Sequence, residues 1–102
     1  MIERANKVMS KFGLKNQIKK FNEESYELQE VLIYANAVLR VGDIDTLKDD
    51  ITSEIADVLF LLIQFIEYFD IKDFDILDKL VYKSERTLNR MEEGYYDKKR
   101  ID

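Results

Sequence analysis

Three glycines and no proline among 102 residues leave this chain few places to turn. A sandwich or barrel needs many tight turns, each favouring glycine or proline at fixed positions, so an all-β fold is disfavoured and long helices are expected. Hydrophobic residues at 46% and charged residues at 36% are both too abundant for a disordered or low-complexity chain. The length fits one domain.

The apolar spacing predicts four helices. A short first helix runs from Ile2 to Lys11 and stops at Gly13. The second runs from Lys15 to Leu39, with Gly42 just past its end as a C-terminal cap. A polar loop follows, in which Asp45 or Thr46 is available as N-cap for a third helix, Leu47 to Phe69. The fourth spans Phe74 to Glu92, capped by an aspartate of the Asp70–Asp73 connection and ended by Gly94. Residues 1–94 thus form a single all-α domain, and 95–102 a polar, frayed tail.

The second helix carries one apolar stripe, Ile18, Phe21, Leu28, Leu32, Ala35 and Leu39. The fourth carries another, Phe74, Leu77, Leu80, Val81, Leu88 and Met91. The third differs: from Val58 to Ile66 it is apolar around nearly its whole circumference, interrupted by Gln64. A helix apolar on all sides must be covered on all sides. Three partners in one short chain hardly suffice, so the expected architecture is a short helix plus three longer ones that complete a four-helix-bundle-type core by oligomerisation. The alternative is a compact monomer with an apolar patch.

Composition removes several chemistries. Without cysteine there is no disulfide, no thiolate zinc site and no thiol nucleophile. Without histidine there is no Ser-His-Asp triad, no Glu-x-x-His di-iron bundle and hardly a zinc enzyme. A net charge of −5 disfavours duplex nucleic acid as a partner. The longest apolar run is too short to span a bilayer, so no membrane partner is expected. Met1-Ile2-Glu3-Arg4 does not open an apolar leader, and a cytoplasmic location is the expectation. There is no Gly-x-x-x-x-Gly-Lys loop either, which excludes a P-loop.

The acidic residues are patterned. Glu23, Glu24 and Glu27 lie on the second helix, and Glu54 and Asp57 on the third. Spacings of i and i+3 put Glu24 with Glu27, and Glu54 with Asp57, on adjacent turns of one face, flanking the apolar stripes. Antiparallel packing of the two helices would bring four carboxylates together. Such a group repels itself unless a cation neutralises it, and all-oxygen ligands select Mg²⁺, or Mn²⁺ as a substitute, over zinc, copper or iron. The same acids would also suit the ordinary solvated faces of an acidic protein.

Glu-Glu-x-x-Glu followed after 26 residues by Glu-x-x-Asp resembles the signature of the MazG-like, all-α nucleoside triphosphate pyrophosphohydrolases. Lys11-Phe12-Gly13 and Gln17 upstream, and Lys83, Arg86 and Arg90 downstream, are similar to further positions of that family. The resemblance implies Mg²⁺-dependent hydrolysis of a (d)NTP to the monophosphate and pyrophosphate, serving nucleotide-pool cleansing or dNTP control. It implies Glu24, Glu27, Glu54 and Asp57 as metal ligands, with Glu23 supporting the site or orienting water. Phe12 stands where many relatives carry tryptophan, and it either stacks on the base or packs in the core. Gln17, two turns before Glu24 on the same face, either looks into the cleft or is solvated.

Lys79, Lys83, Arg86 and Arg90 recur every three or four residues along one side of the fourth helix. A nucleoside triphosphate carries more negative charge than metal alone neutralises, so Lys83 and Arg86 are expected at its phosphates rather than on a merely solvated face, and Arg90 there or at the site of a neighbouring subunit. Lys79, Lys19 and Lys20 read as solvated. A reading of another class remains: a non-catalytic, oligomeric helical interaction module.

Overall fold

The computed structural model describes residues 1–39 and 44–95. Among them are four α-helices and no strand: α1 Ile2–Phe12, α2 Leu14–Val38, α3 Asp45–Tyr68 and α4 Asp73–Glu92. The chain divides into two compact units. One ends at Asp70 and holds α1 to α3; the other begins at Ile71 and holds α4. The expected cap Gly42 and tail residues 96–102 lie outside the described residues.

A single residue separates α1 from α2. Gly13 adopts φ 83° and ψ 158°, a combination open essentially to glycine alone. Its N–H donates to the Met9 carbonyl at 2.8 Å, and its own carbonyl accepts from the Gln17 N–H at 3.1 Å. Asn16 Nδ2 donates to the Phe12 carbonyl at 2.7 Å, satisfying a group that the helix break would strand.

Neither aspartate cap is realised as expected. Ile44 precedes α3 and Lys72 precedes α4, and neither makes a side-chain cap. Asp45 and Asp73 lie one residue further in, where a carboxylate meets the positive end of the helix dipole. Asp45 also pairs with Lys48 at 3.5 Å. Tyr95, expected in the tail, receives the Arg90 guanidinium over its ring at 4.9 Å.

Helices α2 and α3 pack along each other, and α1 lies on both. Gln17 meets Gln64, Phe21 meets Phe65, and Glu24 and Glu27 meet Glu54. Gln17 and Phe21, early in α2, meet Gln64 and Phe65 late in α3, whereas Glu24 and Glu27 meet the earlier Glu54, so the two helices run antiparallel. The Phe21 ring sits edge-on to Phe65, with centroids 5.8 Å apart at 83°. Ala5, Met9, Ala35 and Leu61 form the buried apolar core.

The inner face of α2 differs from the stripe legible in the sequence. Gln17, Glu24 and Ala35 are buried, with Phe21, Leu28, Val31 and Val38 partly so, whereas Ile18, Leu32 and Leu39 are about half exposed. The face is turned by roughly 40°, given 100° per residue. Apolar periodicity places polar residues outside, but Gln17 and Glu24 have partners that let them go in. The α4 stripe from Phe74 to Met91 is exposed throughout.

Gly13→Ala is expected to lower stability by about 1–3 kcal/mol through backbone strain alone, since nothing stands within 4 Å of an added Cβ. A melting temperature unchanged from wild type would show that the α1–α2 junction does not need glycine.

Candidate functional site

A cleft of about 490 Å³ opens within the α1–α3 unit, a volume suited to a small molecule. Val8 and Phe12 of α1 form one wall. Asn16, Gln17, Lys19, Lys20, Glu23 and Glu24 of α2 form another, and Asp57, Phe60, Leu61 and Gln64 of α3 close it. The break at Gly13 separates Phe12 from Gln17 while keeping both on the cleft. Gln17 Nε2 donates to Gln64 Oε1 at 2.7 Å, a buried amide pair that ties α2 to α3.

Beside this cleft the carboxylates converge. One oxygen from each of Glu24, Glu27 and Glu54 lies within 4.8 Å of the other two. Glu24 is buried, Glu54 half-buried and Glu27 exposed. Lys20 Nζ reaches Glu24 Oε1 at 3.1 Å. Glu24 Oε2 and Glu54 Oε2 are buried without a hydrogen-bond partner. An orphaned buried acceptor costs about 1–3 kcal/mol, more when it is charged. Two carboxylates of one cluster, each with an orphaned oxygen, suit a hard divalent cation, so the donor set fits Mg²⁺ or Mn²⁺.

The electrostatics agree with crowding. The Glu27 carboxyl is raised above its ordinary range, chiefly by the Glu24 charge, then by lost hydration and by Glu54. Glu54 is raised first by lost hydration, then by Asp57, Glu24 and Asp50. The Lys20 ammonium is held protonated by its hydrogen bond and attraction to Glu24, with help from Glu23 and Glu27.

Of the residues singled out in the sequence, Phe12, Gln17, Glu23, Glu24 and Asp57 line the cleft, and Glu24, Glu27 and Glu54 form the cluster. Asp57, expected as a fourth ligand, is exposed, stands outside the triad, and acts on it through the field at Glu54. On α4, Arg86 and Arg90 border a hollow of about 310 Å³ with Tyr82, Glu85, Asn89 and Glu93. The Arg86 guanidinium lies 5.9 Å from the Tyr82 ring centroid, and its Nε is buried without a partner. Lys83 is exposed.

Lys20 and Gln64 are among the cleft residues that escaped sequence reasoning. Lys20 is not simply solvated; its i,i+4 spacing to Glu24 was the available signal. Gln64 is 1% exposed, and its signal was that it alone breaks the apolar run from Val58 to Ile66. No family model matches the chain, and no curated protein or solved structure matches it. The motif resemblance therefore stands on these residues alone.

A raised carboxyl means that the fold prefers the protonated form. The penalty is absent below the ordinary carboxylate pKa near 4 and grows as pH rises through the raised value. In chelator at pH 7, Glu54→Gln and Glu27→Gln are therefore expected to melt higher than wild type, with the difference vanishing near pH 4. Equal or lower melting at pH 7 would show that the carboxylates do not repel.

Proposed function

We propose that this protein is a Mg²⁺-dependent nucleoside triphosphate pyrophosphohydrolase. The observation that carries the reading is the Glu24–Glu27–Glu54 cluster, with its orphaned buried oxygens, beside a cleft of small-molecule size. Glu24, Glu27 and Glu54 would hold the cation, with Asp57 adding negative charge at the cleft wall. When bound, Mg²⁺ supplies charge neutralisation and Lewis acidity at phosphoryl oxygens.

In this reading the chain's own residues bind and orient. Phe12, half exposed on the cleft wall, stacks on the base. The Gln17–Gln64 pair supplies a rigid polar surface. Glu23, exposed at the cleft, orients a water and accepts its proton. The water oxygen bonds to the α-phosphorus, the α–β bridging P–O bond breaks, and its electron pair leaves with pyrophosphate. The phosphate role of Lys83, Arg86 and Arg90 rests on the resemblance alone.

The reading includes a homo-oligomer acting in the cytoplasm. Ile55, Leu59 and Leu62 share one exposed side of α3, at 42%, 52% and 38% exposure, as the all-round apolar character of that helix requires. A dimer or larger species by light scattering is expected, and a monomer at micromolar concentration would remove this part. These same exposed faces favour the second reading, a non-catalytic interaction module. Membrane insertion gains no support: among the described residues, no helix is long and apolar enough to cross a bilayer.

Incubation with Mg²⁺ and a panel of NTPs and dNTPs separates the two. Monophosphate plus pyrophosphate is expected. In Glu54→Gln the rate should fall by about 10²-fold or more, the scale of lost transition-state electrostatics, with helicity unchanged. Diphosphate plus orthophosphate, or no turnover with any nucleotide, would contradict the proposal.

A further inference from the structure

One carboxylate in the cluster already has a cation. Lys20 Nζ stands 3.1 Å from Glu24 Oε1, while Oε2 of the same group is buried and unpartnered. The Glu24 side chain is 10% exposed and that of Lys20 53%, so the acid is enclosed while the lysine stays open to solvent. Lys20 also lines the cleft, which gives it open space to move into.

We propose that Lys20 is the built-in counter-ion of the Glu24–Glu27–Glu54 cluster, competing with a divalent cation for Glu24 and released toward the cleft when that cation binds. This deepens the metal-centre reading above and rests on it. The contact is made within one turn of α2, so it needs no tertiary contact to form. The ammonium feels Glu23 and Glu27 as well as Glu24, so it neutralises the group rather than one member. A divalent ion brings twice the charge to the same carboxylate and repels the ammonium beside it. Release turns the lysine into a free positive charge at a cleft wall, ready for an anionic ligand. Cation loading would then precede and favour anion binding.

Mn²⁺ alone, titrated by electron paramagnetic resonance, reads the competition without any nucleotide. Lys20→Met is expected to bind Mn²⁺ roughly fivefold more tightly than wild type, the upper range for a partly exposed ion pair. Lys19→Met, which removes the neighbouring cleft charge, should stay within about twofold. In chelator, Lys20→Met should melt below wild type, and this loss should disappear in a Glu24→Gln background. Methionine matches lysine in helix propensity, so α2 is not at risk. Equal Mn²⁺ affinity in wild type and Lys20→Met, or equal tightening in both lysine variants, would overturn the role of Lys20 and leave the metal centre standing. No Mn²⁺ binding by wild type would overturn the centre and the competition together.

Discussion

Repulsion among three carboxylates is the constraint around which the α1–α3 unit is arranged. Glu24, Glu27 and Glu54 present oxygens within 4.8 Å of one another, and two of those carboxylates each bury an oxygen with no partner. Nothing in the fold forces acids into such a place, since Ile18, Leu32 and Leu39 would have offered α2 a wholly apolar face. Instead the helix turns Gln17 and Glu24 inward and leaves those apolar residues half exposed. Stability is given up at a point where charge is concentrated, the pattern expected of a site that performs chemistry.

The acids are held there by contacts that tie α2 to α3. The Gln17–Gln64 hydrogen bond and the Phe21–Phe65 edge contact lie on successive turns of α2, between the Gly13 break and the cluster. Together they set how far α2 has advanced against α3 when Glu24 comes opposite Glu54. A shift of one residue would rotate Glu24 by 100° and dissolve the cluster. Lys20, one turn before Glu24, then provides a positive charge in direct contact with the cluster.

Much of this was legible in the sequence. The four helices follow from scarce turn residues and 3.6-residue periodicity, with ends displaced by one or two positions at Phe12, Leu14, Val38, Asp45, Tyr68 and Asp73. Glu24, Glu27 and Glu54 were legible as a constellation, because i,i+3 spacing survives any packing that keeps the helices intact. The inward turn of α2 was not legible: apolar periodicity sees only the side chains that prefer burial, not polar ones such as Gln17 whose partner lies 47 residues away. Nor could spacing tell that Asp57 would face the cleft rather than the triad, since that depends on how α1 lies against α3. The basic stripe of α4 was legible as a stripe, while the stacking of Arg86 on Tyr82 and Arg90 on Tyr95 depends on side-chain conformation.

The divalent cation is the centre of the proposed chemistry, and its place is directly observable. Crystals grown without nucleotide and soaked in Mn²⁺ would give an anomalous difference map at the manganese edge. A peak within coordination distance of the Glu24, Glu27 and Glu54 carboxylates is expected. A map with no peak there, and those three carboxylates arranged as in the metal-free protein, would contradict it.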